Sequence, residues 1–111
     1  MRVYETMIIF DAEVQDDGVR AFVDQRISKL IEDSGGSIRD VDYWGLRELK
    51  YEIDHKSNGY YIVLLADAEP ATMDELGRVL SLADEVIRHK TLRLPDHVAE
   101  SLGSNAQEAT A

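Results

Sequence analysis

Few side chains in this chain are equipped for chemistry at neutral pH. His55, His89 and His97 are the three histidines, the residues able to exchange a proton in that range, and they share no HExxH or similar ligand spacing. They read as ordinary surface or edge histidines. Carboxylates adjoin in Asp16-Asp17, Asp40/Asp42 and Asp84-Glu85, a pattern that attracts divalent cations, yet neither an EF-hand spacing nor a glycine-rich phosphate loop accompanies them. They read as solvated helix ends and strand edges. The absence of cysteine excludes disulfides, thiolate zinc sites and a thiol nucleophile together. No group of residues supplies nucleophile, base and oxyanion donor, so the sequence predicts no enzyme, no catalytic residue, no metal, no cofactor and no small-molecule substrate.

Cations and aromatics carry more information. Between Val86 and Leu94 stand Arg88, His89, Lys90 and Arg93 without a single acid. In a strand Arg88 and Lys90 share one face while Arg93 takes the other. Arg2, Arg47 and Lys50 are cations that a sheet is expected to bring toward the same region. The formal charge of −10, from 22 acidic and 12 basic side chains, argues against a general nucleic-acid binder, which needs clustered Lys and Arg to neutralise phosphates. A local basic patch reopens the question. Tyr43, Trp44, Tyr51, Tyr60 and Tyr61, joined by Tyr4, read either as cross-strand packing or as an exposed platform for bases or a partner chain.

Positioning these groups requires a core. At 111 residues and 44% apolar content the chain suits one domain around one core. Its longest apolar run, Ile62 to Ala66, is far below the roughly 20 residues of a membrane span, and no signal peptide is read at its start. Val3 to Phe10 is β-branched and aromatic, the composition of a strand. From Asp16 the period becomes helical, with Val19, Phe22, Val23, Ile27, Leu30 and Ile31 on one face; Ser34-Gly35-Gly36 then supplies a glycine cap. Ile38 to Ile53 is extended, and Gly45 inside it marks a bulge or a close backbone approach. Asp54 to Gly59 predicts a polar connection turning at Asn58-Gly59, followed by a strand from Tyr60 to Ala68 that must be central or covered on both faces. Thr72-Met73-Asp74-Glu75 has the spacing of a capping box, with Thr72 as N-cap and Glu75 at N3. It opens a second helix striped with Met73, Leu76, Val79, Leu80 and Ala83. Val86 to Leu94 is the last strand, closed by Pro95.

The order strand, helix, strand, strand, helix, strand predicts an α+β class, the ferredoxin-like split β-α-β fold (βαββαβ) with a four-stranded antiparallel sheet and two helices on one face. Residues 1–95 form the expected domain and residues 96–111 a flexible acidic, Ala/Ser-rich tail.

Four segments, taken in order and spacing, resemble the bacterial small-subunit ribosomal protein S6 family: Met1-Arg2-Val3-Tyr4-Glu5, Trp44-Gly45-Leu46-Arg47-Glu48-Leu49-Lys50-Tyr51-Glu52-Ile53, Gly59-Tyr60-Tyr61 and Val86-Ile87-Arg88-His89-Lys90. The resemblance runs from Met1 to about Leu94. It implies the same fold, a structural role on the small ribosomal subunit in the cytoplasm, and support of platform assembly and translation. It further implies binding to the central domain of 16S ribosomal RNA as a heterodimer with ribosomal protein S18. Arg2, Tyr4, Arg47, Tyr51, Tyr60 and Arg88 fall on the family's motif positions. Arg2, Arg47, Lys50, Arg88, Lys90 and Arg93 are therefore expected to bind RNA at its phosphates, where a guanidinium offers a planar, permanently charged fork. Tyr4, Tyr51 and Tyr60 are expected within the sheet or against the protein partner. Two positions depart from the family: Lys50 replaces a small residue, typically Ala, and Glu48 stands where a base is common. The fold also hosts ligand sensors and acylphosphatase-like enzymes, but an acyl-phosphate site needs an Arg on the loop after the first strand. Asp11-Ala12-Glu13-Val14-Gln15 has none.

Overall fold

Strand β1 (Arg2–Asp11) buries Tyr4, Thr6, Ile8 and Phe10, the period-two pattern of a strand with one side on a core. The computed structural model describes residues 1–53, 55–96 and 98. Strands β2 (Ser37–Ile53), β3 (Lys56–Ala68) and β4 (Val86–Arg93) complete an antiparallel sheet in the order β2-β3-β1-β4. β3 therefore has a neighbour on each side, as its apolar run demands. Helix α1 (Gln15–Phe22) continues through a π-helical stretch, Val23–Ser28, into α2 (Lys29–Asp33), with helical backbone at each junction. Its buried stripe of Val19, Phe22, Val23, Ile27 and Ile31 meets Ile8, Phe10, Ile62 and Leu64 of the sheet and Leu76 and Leu80 of α3 (Pro70–Leu82). Both helices thus lie on one face of a ferredoxin-like sheet.

Local chemistry explains where these elements stop. Gly35 adopts φ 91°, and the Gly36 N–H donates to the Ile31 carbonyl at 2.9 Å, the glycine termination expected for the first helix. Gly36 is also wedged against β3, because a Cβ there would lie 2.4 Å from the Asp67 carbonyl oxygen. Gly45, with φ 85°, sits where the pairing of β2 with β3 slips between Tyr43 and Gly45, the bulge that its place in a strand suggested.

Two expectations are corrected. Asn58-Gly59 is not the turn: Asn58 pairs with Glu48 and Gly59 with Arg47 inside the hairpin, while the positive φ of 63° falls on His55. The hairpin extends past the core, so its polar residues complete a ladder without being buried. Gly59 is needed for space, since a Cβ would meet the Ile9 Cγ2 atom at 2.4 Å. The capping box is likewise absent. Helix α3 starts at Pro70, whose fixed φ suits the first helical position, and Glu69 is the N-cap, accepting the Thr72 and Met73 N–H groups on its carbonyl. The Thr72 hydroxyl instead donates to Ser34 Oγ at 3.0 Å, and Ser34 in turn donates to the Ile31 and Leu30 carbonyls. A residue whose spacing resembles a cap of its own helix thereby secures the end of the other one. Of the expected tail, only Asp96 and Val98 fall within the described residues.

Candidate nucleic-acid interface

The face of the sheet away from the helices is read most directly in rows across the strands. One row runs Arg88, Ile9, Tyr61 and Gly45 through β4, β1, β3 and β2; the next runs Lys90, Met7, Val63 and Asp42; a third runs Leu92, Glu5, Leu65 and Asp40. Arg88 and Lys90 share this open face. Arg93 has the opposite parity, lying across from Tyr4.

The bulge at Gly45 brings Trp44 onto the open face, where its ring lies parallel to Tyr61, 5° between planes with centroids 6.4 Å apart. The Trp44 indole N–H donates to Asp42 at 2.9 Å. Arg47 and Glu48 border the hollow beside this pair. Further along, four residues of β2, 49–52, stand opposite the single residue Ser57. Here the arm of the hairpin and β4 border a groove, with Met7, Ile9 and Tyr61 as floor, Leu49, Tyr51 and Ile53 along the arm, and Lys50, Arg88 and Lys90 as cations on its lining. Glu52 is its acid.

The expected site residues fall into three places. Lys50, Arg88 and Lys90 converge on the groove, and Arg47 borders the adjoining hollow across Tyr61. Arg2 and Arg93 do not join them, contrary to the expectation for Arg2. Register puts both at the far end of the sheet, with Arg93 five residues and about 17 Å along β4 from Arg88. Arg2 pairs there with Asp96 at 3.5 Å. Tyr4 and Tyr60 are buried on the helix side, whereas Tyr51 is 72% exposed. Trp44 belongs to the aromatics that could form an exposed platform, whereas the sequence reading does not mark Met7 and Ile9 as part of a site. Their signal was the unbroken apolar run Met7-Ile8-Ile9-Phe10, which puts apolar groups on both faces of β1.

Five basic side chains among the described residues are already engaged by carboxylates, Arg2 among them. Arg20 is held by Asp16 at 2.9 Å, Arg39 by Asp67 at 2.6 Å, Lys56 by Asp11 at 3.1 Å and Arg78 by Glu75. The Glu13 N–H and then Lys56 hold the Asp11 carboxyl below its usual range. Among the described residues Arg47, Lys50, Arg88 and Lys90 enter no ion pair, and neither do Arg26, Lys29 and Arg93; what sets the four apart is that they border one groove and the hollow beside it. Lys50 does approach the Tyr51 ring, 5.8 Å from its centroid. Also among the described residues, no group of three His, Asp or Glu side chains could hold a metal ion, and no helix is long and apolar enough to cross a membrane. What remains is a cationic groove with an apolar and aromatic floor, suited to a ligand that is both anionic and flat.

Comparison with known proteins points to one family. The family model described as Ribosomal protein S6 matches residues 3–93. The small ribosomal subunit protein bS6 of Bifidobacterium longum is 48% identical over 90 residues, 81% of this chain and 92% of that protein. Its counterpart in Cutibacterium acnes is 41% identical over 87% of this chain and 100% of its own length. The crystal structure of 30S ribosomal protein S6 from Thermotoga maritima superposes with a TM-score of 0.75 at 29% identity, covering 96% of this chain and 97% of that one.

Proposed function

Since the chain belongs to the ribosomal protein S6 family, and so to the structural proteins of the small ribosomal subunit in the cytoplasm, we propose that it binds the central domain of 16S ribosomal RNA as a heterodimer with ribosomal protein S18 and supports platform assembly. The observation that carries this reading is the convergence of Lys50, Arg88 and Lys90, none of them in an ion pair among the described residues, on one groove of the open face. Arg20, Arg39, Lys56 and Arg78 are each engaged by a carboxylate. Arg88 and Lys90 remain available, and counterion release from RNA phosphates gives such groups their affinity. In this reading Lys50 and Arg47 add to the same contact. Arg2 and Arg93 form a separate, weaker phosphate contact at the far end of the sheet, with Asp96 competing for Arg2. Tyr4 and Tyr60 act only through the core.

The acidic balance gives the basic partner its role. Complementary potential favours encounter and fixes register, and an acidic chain needs a basic companion to approach a polyanion. The test measures binding of labelled central-domain RNA by this chain, by its S18 partner and by the two mixed. Binding by the mixture well above the sum of the separate components supports the proposal. Equal binding with and without the partner would refute the heterodimer, and no association of the mixture with RNA would refute the RNA target.

A further inference from the structure

We infer that the groove between the hairpin arm and β4 holds one unstacked nucleotide of single-stranded RNA, its base against Tyr51 and Tyr61 over Met7 and its phosphate among Lys50, Arg88 and Lys90. The inference rests on the RNA-binding reading above and narrows it from a charged surface to a defined ligand.

Three features of the groove distinguish it from a general phosphate-binding surface. The first is its floor. A duplex backbone needs cations and hydrogen-bond donors, of which this floor offers only the Tyr61 hydroxyl; an apolar floor with aromatic groups is the surface on which a base stacks. The second is shape. Where β2 carries four residues against one of β3, the arm and β4 border a half-open groove of about 490 Å³, within the range of about 300–1,000 Å³ typical of small-ligand sites. A double helix does not enter such a groove, but a splayed base does. The third is the position of charge. Lys50 lies beside Tyr51 on the arm, and Arg88 and Lys90 lie two positions apart on β4, so cations stand on both sides of the floor and a phosphate attached to the base meets one whichever way the strand runs.

A basic protein segment fits the groove poorly. Among the described residues the cations Lys50, Arg88 and Lys90 outnumber Glu52 on the groove's lining, and an arginine or lysine entering there meets like charge. The hollow on the other side of Tyr61, which carries Asp42 and Glu48, suits such a segment better.

Tyr51 is the residue to test, because at 72% exposure it contributes little to folding. The experiment measures affinity of the full chain with its S18 partner for central-domain 16S RNA at several salt concentrations. It compares the wild type with Tyr51→Ala, Tyr51→Phe and the double variant Arg88→Ala/Lys90→Ala, and measures partner binding without RNA in parallel. Loss of one stacked base lowers affinity about 5- to 150-fold, so Tyr51→Ala is expected to fall in that range with its salt slope unchanged. Tyr51→Phe, which keeps the ring, is expected to retain wild-type affinity. If Tyr51→Ala binds RNA normally while the double variant is weakened, the nucleotide site is wrong and the RNA-binding reading stands. If neither substitution changes RNA binding, the reading itself fails. If Tyr51→Ala weakens partner binding in the absence of RNA, the groove is a protein contact and the inference is overturned.

Discussion

Replacing Arg88 and Lys90 together by Ala tests the charged face with a number that follows from geometry. Both side chains are exposed on β4 and neither is in an ion pair among the described residues, so their removal costs little stability. Each phosphate neutralised contributes about 0.7 (single strand) to 0.9 (duplex) to the slope of log affinity against log salt. Two lost contacts therefore flatten the slope by about 1.4 to 1.8. Over a fourfold rise in salt, from about 50 to about 200 mM, the wild type then loses affinity by a factor about 7 to 12 larger than the double variant does. The assay is equilibrium binding of labelled central-domain RNA in the presence of saturating S18 partner. Arg78→Ala is the control, because Arg78 is on α3, on the other side of the molecule, and is already engaged by Glu75. Parallel salt lines for wild type and double variant would refute the assignment, whatever the absolute affinities, since a residue that touches phosphate must change the number of ions released.

The remaining predictions concern the fold that holds the groove. Gly36→Ala drives a Cβ against the Asp67 carbonyl oxygen at 2.4 Å and the Ile31 Cγ2 at 2.9 Å, so urea unfolding should show a loss near the upper end of the about 1–3 kcal/mol seen for overpacking. Gly45→Ala meets nothing within 4 Å and carries only the strain of its φ of 85°, about 1–2 kcal/mol; the reverse ranking of the two variants would contradict the packing at Gly36. Leu80→Ala, at a side chain 1% exposed, should cost about 2–5 kcal/mol, while Leu82→Ala, 69% exposed, should stay within about 0.5 kcal/mol, as thermal unfolding will show. The Tyr60 hydroxyl donates to Asp16, and that bond, followed by Arg20, holds the Asp16 carboxyl below its ordinary 3.8. Burial, followed by the same bond, raises the Tyr60 hydroxyl above its ordinary 10.0. The Asp16 contribution is complete above its unfolded value and fades as pH falls through the lower folded one; the Tyr60 contribution is complete below 10.0 and fades as pH rises through the higher folded one. Tyr60→Phe should therefore flatten both limbs of a stability–pH curve, and limbs parallel to the wild type would show that the bond carries no such linkage.

Much of the architecture was legible because burial imposes period. The alternation of Tyr4, Thr6, Ile8 and Phe10 and the helical stripe from Val19 to Ile31 follow from a single core, and they placed the strands and helices to within a few residues. Capping and turning were less legible, because the same residue types serve several purposes. Asn58-Gly59 has the composition of a turn, yet Gly59 is there to clear Ile9. Thr72 has the spacing of a cap, yet its hydroxyl is used by Ser34 of the other helix. Of the candidate interface, strand parity correctly separated Arg88 and Lys90 from Arg93. It did not reveal that the pairing register carries Arg2 to the far end, nor that the arm and β4 border one groove. The arm carries a local mismatch of four residues against one, which exists only once two strands are paired.

The net charge of −10 takes on a different meaning when distance is considered. At physiological ionic strength a charge is screened beyond about 8 Å, so exposed acids on the helices, such as Asp24, Asp74 and Glu32, are attenuated across the thickness of the sheet. The acids that matter to the groove are those on its own face: Glu5 and Asp40 in the third row, Asp42 in the second, and Glu48 and Glu52 near the arm. Against them stand Arg47, Lys50, Arg88 and Lys90, so the open face as a whole is close to balanced and the isolated chain has little net attraction for a polyanion. A basic partner seated over the acidic rows removes that opposition and leaves the cations of the groove to act alone. In the proposed heterodimer the partner therefore contributes to RNA binding twice, through its own cations and by neutralising the carboxylates that offset Arg88 and Lys90.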